Sequence, residues 1–252
     1  MFFFGVIGLL NYMAIVSYDG SSYHGFQLQK NALTVQEVLE KSLEKLYGQK
    51  IKIFAAGRTD SGVHARGQVI NFFAPENISA ERIPAALNAL LPDDIVVVEA
   101  KAAEPDFHAR RDAKGKIYSY TVDNGAYPDV FSRKYAWHIR EPLDVDLMRQ
   151  GASFLLGRHD FKAFQASGSP VEDTKRTLYA LDILLKEPFI IFRFRGDGFL
   201  YKMVRNITGT LVEVGLRKKT PQEVYTILKS KDRCRAGITA PARGLCLEKV
   251  YY

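Results

Sequence analysis

The sequence predicts an α+β fold of two lobes, each a ferredoxin-like βαββαβ unit with an antiparallel sheet and its helices packed on one face. Three features point there. Strand-like and helix-like segments follow that order in the first half, the order returns in the second half, and a polar stretch divides the two. The chain has 252 residues, 47% hydrophobic and 25% charged, which is enough for two small domains.

In the first half, alternating or β-branched runs over residues 12–18, 51–56, 68–73 and 95–100 read as strands. Two helical patterns separate them. Thr34 and Glu37 have the spacing of a capping box, and Val35, Val38, Leu39, Leu43 and Leu46 share one face of the helix that follows. The second helix covers residues 79–90. Residues 103–115, AEPDFHARRDAKG, carry little hydrophobic periodicity and form the crossover, so the expected lobes are 12–104 and 105–252.

The second half repeats the order. A strand over 116–122 and a helix over 145–156 lead to a strand pair, 178–185 and 189–195, across Glu187-Pro188; a helix over 201–214 and a strand over 245–251 complete it. An additional helix over 221–229 opens with Thr220 as N-cap, Pro221 in the first helical position and Glu223 three residues after the cap. No residue-level repeat is visible, so the duplication rests on element order.

Lys and Arg outnumber Asp and Glu by 35 to 28, and the net charge of +7 favours a polyanionic partner. Cys234 and Cys246 are too few for a disulfide framework, and with five scattered histidines they make no zinc-ligand spacing. A reducing, cytoplasmic compartment is expected. Residues 1–10 are apolar but lack a basic leader and a cleavage site, and are too short to span a bilayer; residues 1–11 precede the first periodic pattern. They are expected to be an N-terminal extension, with Met13 or a nearby position as a candidate start.

The chemistry is expected in residues 57–68, GRTDSGVHARGQ, which join two predicted strands. Three glycines, one acid and three cationic or imidazole side chains exceed what a simple hairpin needs. Gly57 and Gly62 permit backbone angles that present the Asp60 carboxylate at the end of the sheet. On composition alone, a glycine-rich hairpin with solvated charges is the commoner explanation.

This segment, extended to GRTDSGVHARGQV, resembles the signature of the TruA family of tRNA pseudouridine synthases. SYDGSSYHGFQLQ, FHARRDAKGKIYSY, GRHDFKAFQASG, GFLYKMVRN and APARGLCLEKV resemble further blocks of that family, in the same order, over nearly the whole chain. Phe26 and Ile238 depart from the family's usual Trp and Pro. The resemblance implies isomerisation of uridine to pseudouridine at positions 38, 39 and 40 of the tRNA anticodon stem-loop, in a cleft between the lobes, by a homodimer. It also implies that Asp60 is the catalytic carboxylate. Attack at C1′, attack at C6 and removal of the C2′ proton all remain open.

In the same family pattern Arg205 pairs with that carboxylate, and a neighbouring guanidinium holds an acid ionised where water is excluded. Tyr118 packs on the target uracil, Leu245 lies across the pocket, and Arg58 enters the space the flipped base leaves. The reaction changes no oxidation state, so no cofactor and no metal are expected, in accord with the lack of nucleotide-binding and zinc motifs. Phosphate contacts are expected from Arg66, Arg110, Arg111, Lys114, Lys116, Lys162, Lys175, Arg176 and Lys202. His24, His64, His108 and His159 are expected in loop or turn roles. The competing function is a non-catalytic tRNA-binding protein or chaperone on the same fold; phosphate binding alone gives no reason to keep Asp60 with Tyr118 and Arg205. An aspartate-dependent hydrolase would need a second carboxylate or metal ligands beside the first, and residues 57–68 offer neither.

Overall fold

A computed structural model describes residues 8–168 and 171–252. Most of the apolar N-terminal stretch, residues 1–7, therefore lies outside the described residues. The described residues form ten β-strands and five α-helices, in two compact units: one ends at Ala113 and includes Tyr252, the other is Lys114–Tyr251.

The first unit contains β1 (Leu9–Tyr18), α1 (Val35–Tyr47), β2 (Ile53–Ala55), β3 (His64–Pro75), α2 (Ile83–Asn88) and β4 (Ile95–Ala102). Every pairing is antiparallel and the strand order is β4-β1-β3-β2. Alternation along β1 buries Tyr12, Ala14, Val16 and Tyr18, and Tyr12 lies opposite Phe72 of β3 with ring centroids 5.7 Å apart. Helix α1 opens on Thr34, whose side chain accepts the Glu37 N–H, and stops at Gly48, whose φ of 71° is left-handed. Val35, Leu39 and Leu43 form its buried face, whereas Val38 and Leu46 are half-buried.

Strand β1 begins three residues before the expected start, because Asn11 is a buried strand residue. Its amide donates to the carbonyls of Glu104 (2.9 Å) and Phe107 (2.8 Å), and its carbonyl accepts from Asn71 at 3.0 Å. Asn71 in turn accepts the Ala109 N–H at 2.9 Å. Two buried amides thus hold the stretch that shows no periodicity in the sequence. Asn71→Ala is expected to leave several of these groups without partners and to destabilise the protein by about 3 kcal/mol, read from urea unfolding midpoints. The helix expected over 79–90 is shorter, a 3₁₀ turn at Ala80–Arg82 running into α2.

The second unit contains β5 (Gly115–Asp123), β6 (Trp137–His138), α3 (Val145–Ser153), β7 (Gly157–Asp160), β8 (Lys175–Lys186), β9 (Phe189–Gly196), α4 (Met203–Gly215), α5 (Pro221–Ser230) and β10 (Leu245–Tyr251). Antiparallel pairing gives the order β10-β5-β9-β8-β7, and β6 runs parallel to β5. The core is built from Tyr120 and Val122 of β5, Phe192 and Phe194 of β9, and Ile207, Leu211 and Val214 of α4. Thr220 and Glu223 exchange hydrogen bonds as a complete capping box at the start of α5. Strands β6 and β7 have two and four residues, too few for a hydrophobic period to register in the sequence.

Candidate active site

Asp60 lies on the connection from β2 to β3. The irregular part is shorter than residues 57–68, because β3 has already begun at His64. At its base the Ala56 N–H donates to the Val69 carbonyl (2.8 Å), and the buried Gln68 side chain donates to the Gly57 carbonyl (2.8 Å). At its tip the Val63 N–H donates to the Asp60 carbonyl at 3.1 Å, with Gly62 at a φ of 75°. Thr59 and Val63 are buried, Asp60 is half-buried and Arg58 is exposed.

The segment after β1 braces this loop on both sides of the aspartate. Phe26 N–H donates to the Thr59 carbonyl (3.1 Å), and the Tyr18 hydroxyl bonds to the Thr59 hydroxyl (2.8 Å). Beyond Asp60, the Ser61 hydroxyl (3.1 Å) and the Gly62 N–H (3.4 Å) both donate to the Tyr23 carbonyl. Tyr23 is fixed in its turn by a 2.5 Å hydrogen bond from its hydroxyl to the Asp94 carboxylate. Burial, then the bond to Asp94 and its negative charge, push the Tyr23 phenol above the ordinary tyrosine range, so it stays a donor.

Two glycines make the approach possible. A Cβ on Gly20 would lie 2.0 Å from the Val63 carbonyl oxygen; one on Gly25, at a φ of 90°, would lie 2.9 Å from the Thr59 carbonyl oxygen. The DGSSYHG segment is therefore the seat of the Asp60 loop. Sequence reasoning assigned Tyr18, Gly20, Tyr23 and Gly25 no role, and the signal available to it was the pair of glycines flanking a short polar run.

Tyr118, Leu245 and Arg205 belong to the second unit. In the β10–β5 register Leu245 lies opposite Tyr120, two residues along β5 from Tyr118, so Tyr118, Tyr120 and Leu245 share one face of the sheet. Tyr118 is 8% exposed and Leu245 7%. The Tyr118 ring meets Phe199 edge-on, with centroids 5.2 Å apart. Arg205, on α4, donates through Nε to the Ala240 carbonyl (2.7 Å), while the Ala240 N–H donates to the Arg205 carbonyl (3.1 Å). Burial pushes the Tyr120 phenol above its ordinary range against the opposing charges of Arg205 and Arg243, so Tyr120 remains a donor to the Pro241 carbonyl at 2.8 Å.

Asn206, next to Arg205, ties the surrounding segments together. Its amide donates to the Phe164 carbonyl (2.8 Å), and its carbonyl accepts from Thr239 (2.6 Å) and Arg233 (3.0 Å). Gly209 lets the 233–244 stretch lie against α4, since a Cβ there would stand 1.8 Å from the Ile238 carbonyl oxygen. The sequence reading did not single out Asn206, Tyr120 or Arg243.

The histidines take local roles, although two sit in strands and not in loops: His64 of β3 is buried and accepts the Gly20 N–H (3.1 Å), and His159 of β7 bonds the Leu156 carbonyl (2.7 Å), while His108 accepts the Arg110 N–H (3.1 Å) and His24 is exposed. Of the expected phosphate ligands, Arg66, Arg110, Arg111, Lys114, Lys162 and Lys175 are exposed and Lys116, Arg176 and Lys202 are half-buried. Among the described residues no helix is long and apolar enough to cross a membrane, and no group of three or more His, Cys, Asp or Glu is placed to hold a metal ion.

These features describe a braced loop presenting a carboxylate, in a basic α+β protein. A family model described as tRNA pseudouridine synthase matches residues 14–112 and 152–252. The tRNA pseudouridine synthase A of Thermoanaerobacter sp. (strain X514) is 53% identical over 242 residues, 96% of this chain and 99% of that protein. The enzyme of the same name from Bacillus subtilis (strain 168) is 50% identical over 239 residues, 94% and 97% of the two chains. A solved Cbf5-Nop10-Gar1 complex aligns with 94% of this chain and 48% of that one, at 16% identity and a TM-score of 0.37, too low to bear on fold or function. The chain belongs to the tRNA pseudouridine synthase family.

Proposed function

We propose that this protein isomerises uridine to pseudouridine at positions 38, 39 and 40 of the tRNA anticodon stem-loop, with Asp60 as the catalytic carboxylate. The observation that carries the reading is the Asp60 loop of a family member: hydrogen bonds fix the backbone on both sides of Asp60, while its side chain stays half-open. A reacting group held in this way needs no reorganisation when substrate arrives. The reaction breaks the bond from N1 to C1′, turns the retained uracil and rejoins it through C5, so atoms and electrons balance within the substrate. Asp60 acts as nucleophile or base, and Arg205 keeps it ionised. Tyr118 and Leu245 bound the uracil and Arg58 fills the vacated stack. Their roles rest on the family resemblance.

Each unit is read as a ferredoxin-like lobe, the first carrying the catalytic loop. With the short β6 and β7 set aside, the strand orders β4-β1-β3-β2 and β10-β5-β9-β8 support this, since both put the last strand beside the first and the first beside the third. The working form is taken to be a homodimer in the cytoplasm, and light scattering giving one chain's mass of 28.4 kDa in solution would remove the dimer. The main test maps pseudouridine in tRNA from cells with and without the protein. Loss at positions 38–40 on deletion is expected, and an unchanged map would refute the assignment.

Docking is expected to be electrostatic. Affinity for tRNA should fall steeply with salt, by a log–log slope of about −0.7 to −0.9 per phosphate contacted. Lys175→Glu should weaken binding and flatten that slope, leaving the single-turnover rate at saturating RNA unchanged. A salt-independent affinity would show that the exposed cations are not the docking surface.

A further inference from the structure

A pocket lies beside the Asp60 loop. An open pocket of about 290 Å³ in the first unit is lined by Phe26, Gln27, Phe54, Arg58, His108 and Arg110, among others. Phe54 is 40% exposed although it sits in β2, and its ring lies 5.1 Å from that of His108, tilted by 48°. His108 is held by its own turn, accepting the Arg110 N–H through Nδ1 and donating its backbone N–H to Asp112 (2.7 Å). The pocket thus has a fixed aromatic wall. Arg58 and Arg110 contribute exposed guanidinium groups, neither within ion-pair distance of a carboxylate among the described residues. Gln27 adds an exposed amide.

An exposed aromatic face beside the Arg110 cation and an amide, with Arg58 at the rim nearest Asp60, matches one chemistry: a stacked base with an adjoining phosphate. A protein partner would leave two guanidinium charges to neutralise, and a free anion would have no use for the aromatic wall. Arg58 is also two residues from Asp60, at most about 7 Å along the backbone. An RNA strand that delivers a uridine to Asp60 therefore passes this pocket within one or two nucleotides. We propose that the pocket bounded by Phe54, His108, Arg58 and Arg110 seats an unstacked nucleotide flanking the target uridine, and so helps to choose which uridine reaches Asp60. The proposal rests on the tRNA reading above.

The test uses the full-length protein and anticodon stem-loop RNAs carrying a single abasic nucleotide at each position flanking the target. Phe54→Ala and Phe54→Leu are expected to raise Kd for the intact stem-loop between about fivefold and a hundredfold, the effect of one stacked base. Phe54→Tyr keeps the ring and should bind like wild type. With the abasic site at the seated position, wild type and Phe54→Ala should bind equally; at other positions the difference should persist. Matching thermal unfolding would show that the variants fold. Equal Kd for wild type and Phe54→Ala on intact RNA, or a deficit that ignores the abasic position, overturns the pocket while leaving the tRNA reading intact. Failure of the wild-type protein to bind any stem-loop overturns both.

Discussion

Asp60→Asn is expected to bind tRNA with wild-type affinity and to form pseudouridine about 10⁴-fold more slowly, if at all, roughly 5 kcal/mol of barrier. The substitution keeps the shape of the side chain and removes its charge and nucleophilicity. The loop should stay in place, because backbone and hydroxyl bonds of Thr59, Ser61, Gly62 and Val63 hold it on both sides of the aspartate. Filter binding and single-turnover pseudouridine release, measured on one preparation, separate the two effects. Turnover near the wild-type rate would remove Asp60 from the chemistry, and lost affinity would make it a binding residue.

Gly20→Ala should also slow the reaction, although Gly20 carries no side chain. The added methyl would meet the Val63 carbonyl oxygen at 2.0 Å, which only a backbone shift can relieve, in the turn that carries Asp60. Overpacking of this kind costs about 1–3 kcal/mol of stability, and a displacement of about 1 Å at a reacting group costs about a hundredfold in rate. Gly48→Ala provides the control. It has a left-handed φ of 71° but nothing within 4 Å of the added methyl, so it should lose about 1–2 kcal/mol of stability and none of the rate. Equal rate losses in the two variants would mean that Gly20 acts through stability alone.

The sequence displayed most of the elements, because β1, α1 and β9 each bury one face and so carry a period: Tyr12, Ala14 and Val16 alternate, and Leu39 and Leu43 recur at helical spacing. It concealed elements held by other forces. Asn11 reads as a polar residue outside a strand, yet is buried because it pairs with Asn71 and backbone groups of Glu104, Phe107 and Ala109 bond to the pair. Strands β6 and β7 are too short to show alternation. The Asp60 segment stood out by its composition, and the family resemblance supplied its candidate role. What holds it was hidden, since the atoms that brace it are carbonyls and N–H groups of Tyr23 and Phe26, and a backbone contact leaves little trace beyond the glycines that permit it. Asn206 was hidden for a similar reason: its partners Phe164, Arg233 and Thr239 are far from it in sequence.

The residues that seat the Asp60 loop also start a helix. Val35 N–H and Gln36 N–H, in the first turn of α1, donate to the carbonyls of Gly25 (3.3 Å) and Phe26 (2.9 Å), and Phe26 reaches the loop through its own N–H. Lifting the loop would therefore strip partners from a helix terminus whose N–H groups have no others within the helix. Motion there is coupled to fraying of α1, not to the swing of an independent lid, and amide protons at Phe26, Val35 and Val63 should exchange with solvent as one group. If Asp60 reacts from this braced loop, the RNA does the deforming, and the strand most easily distorted at the target uridine has the advantage.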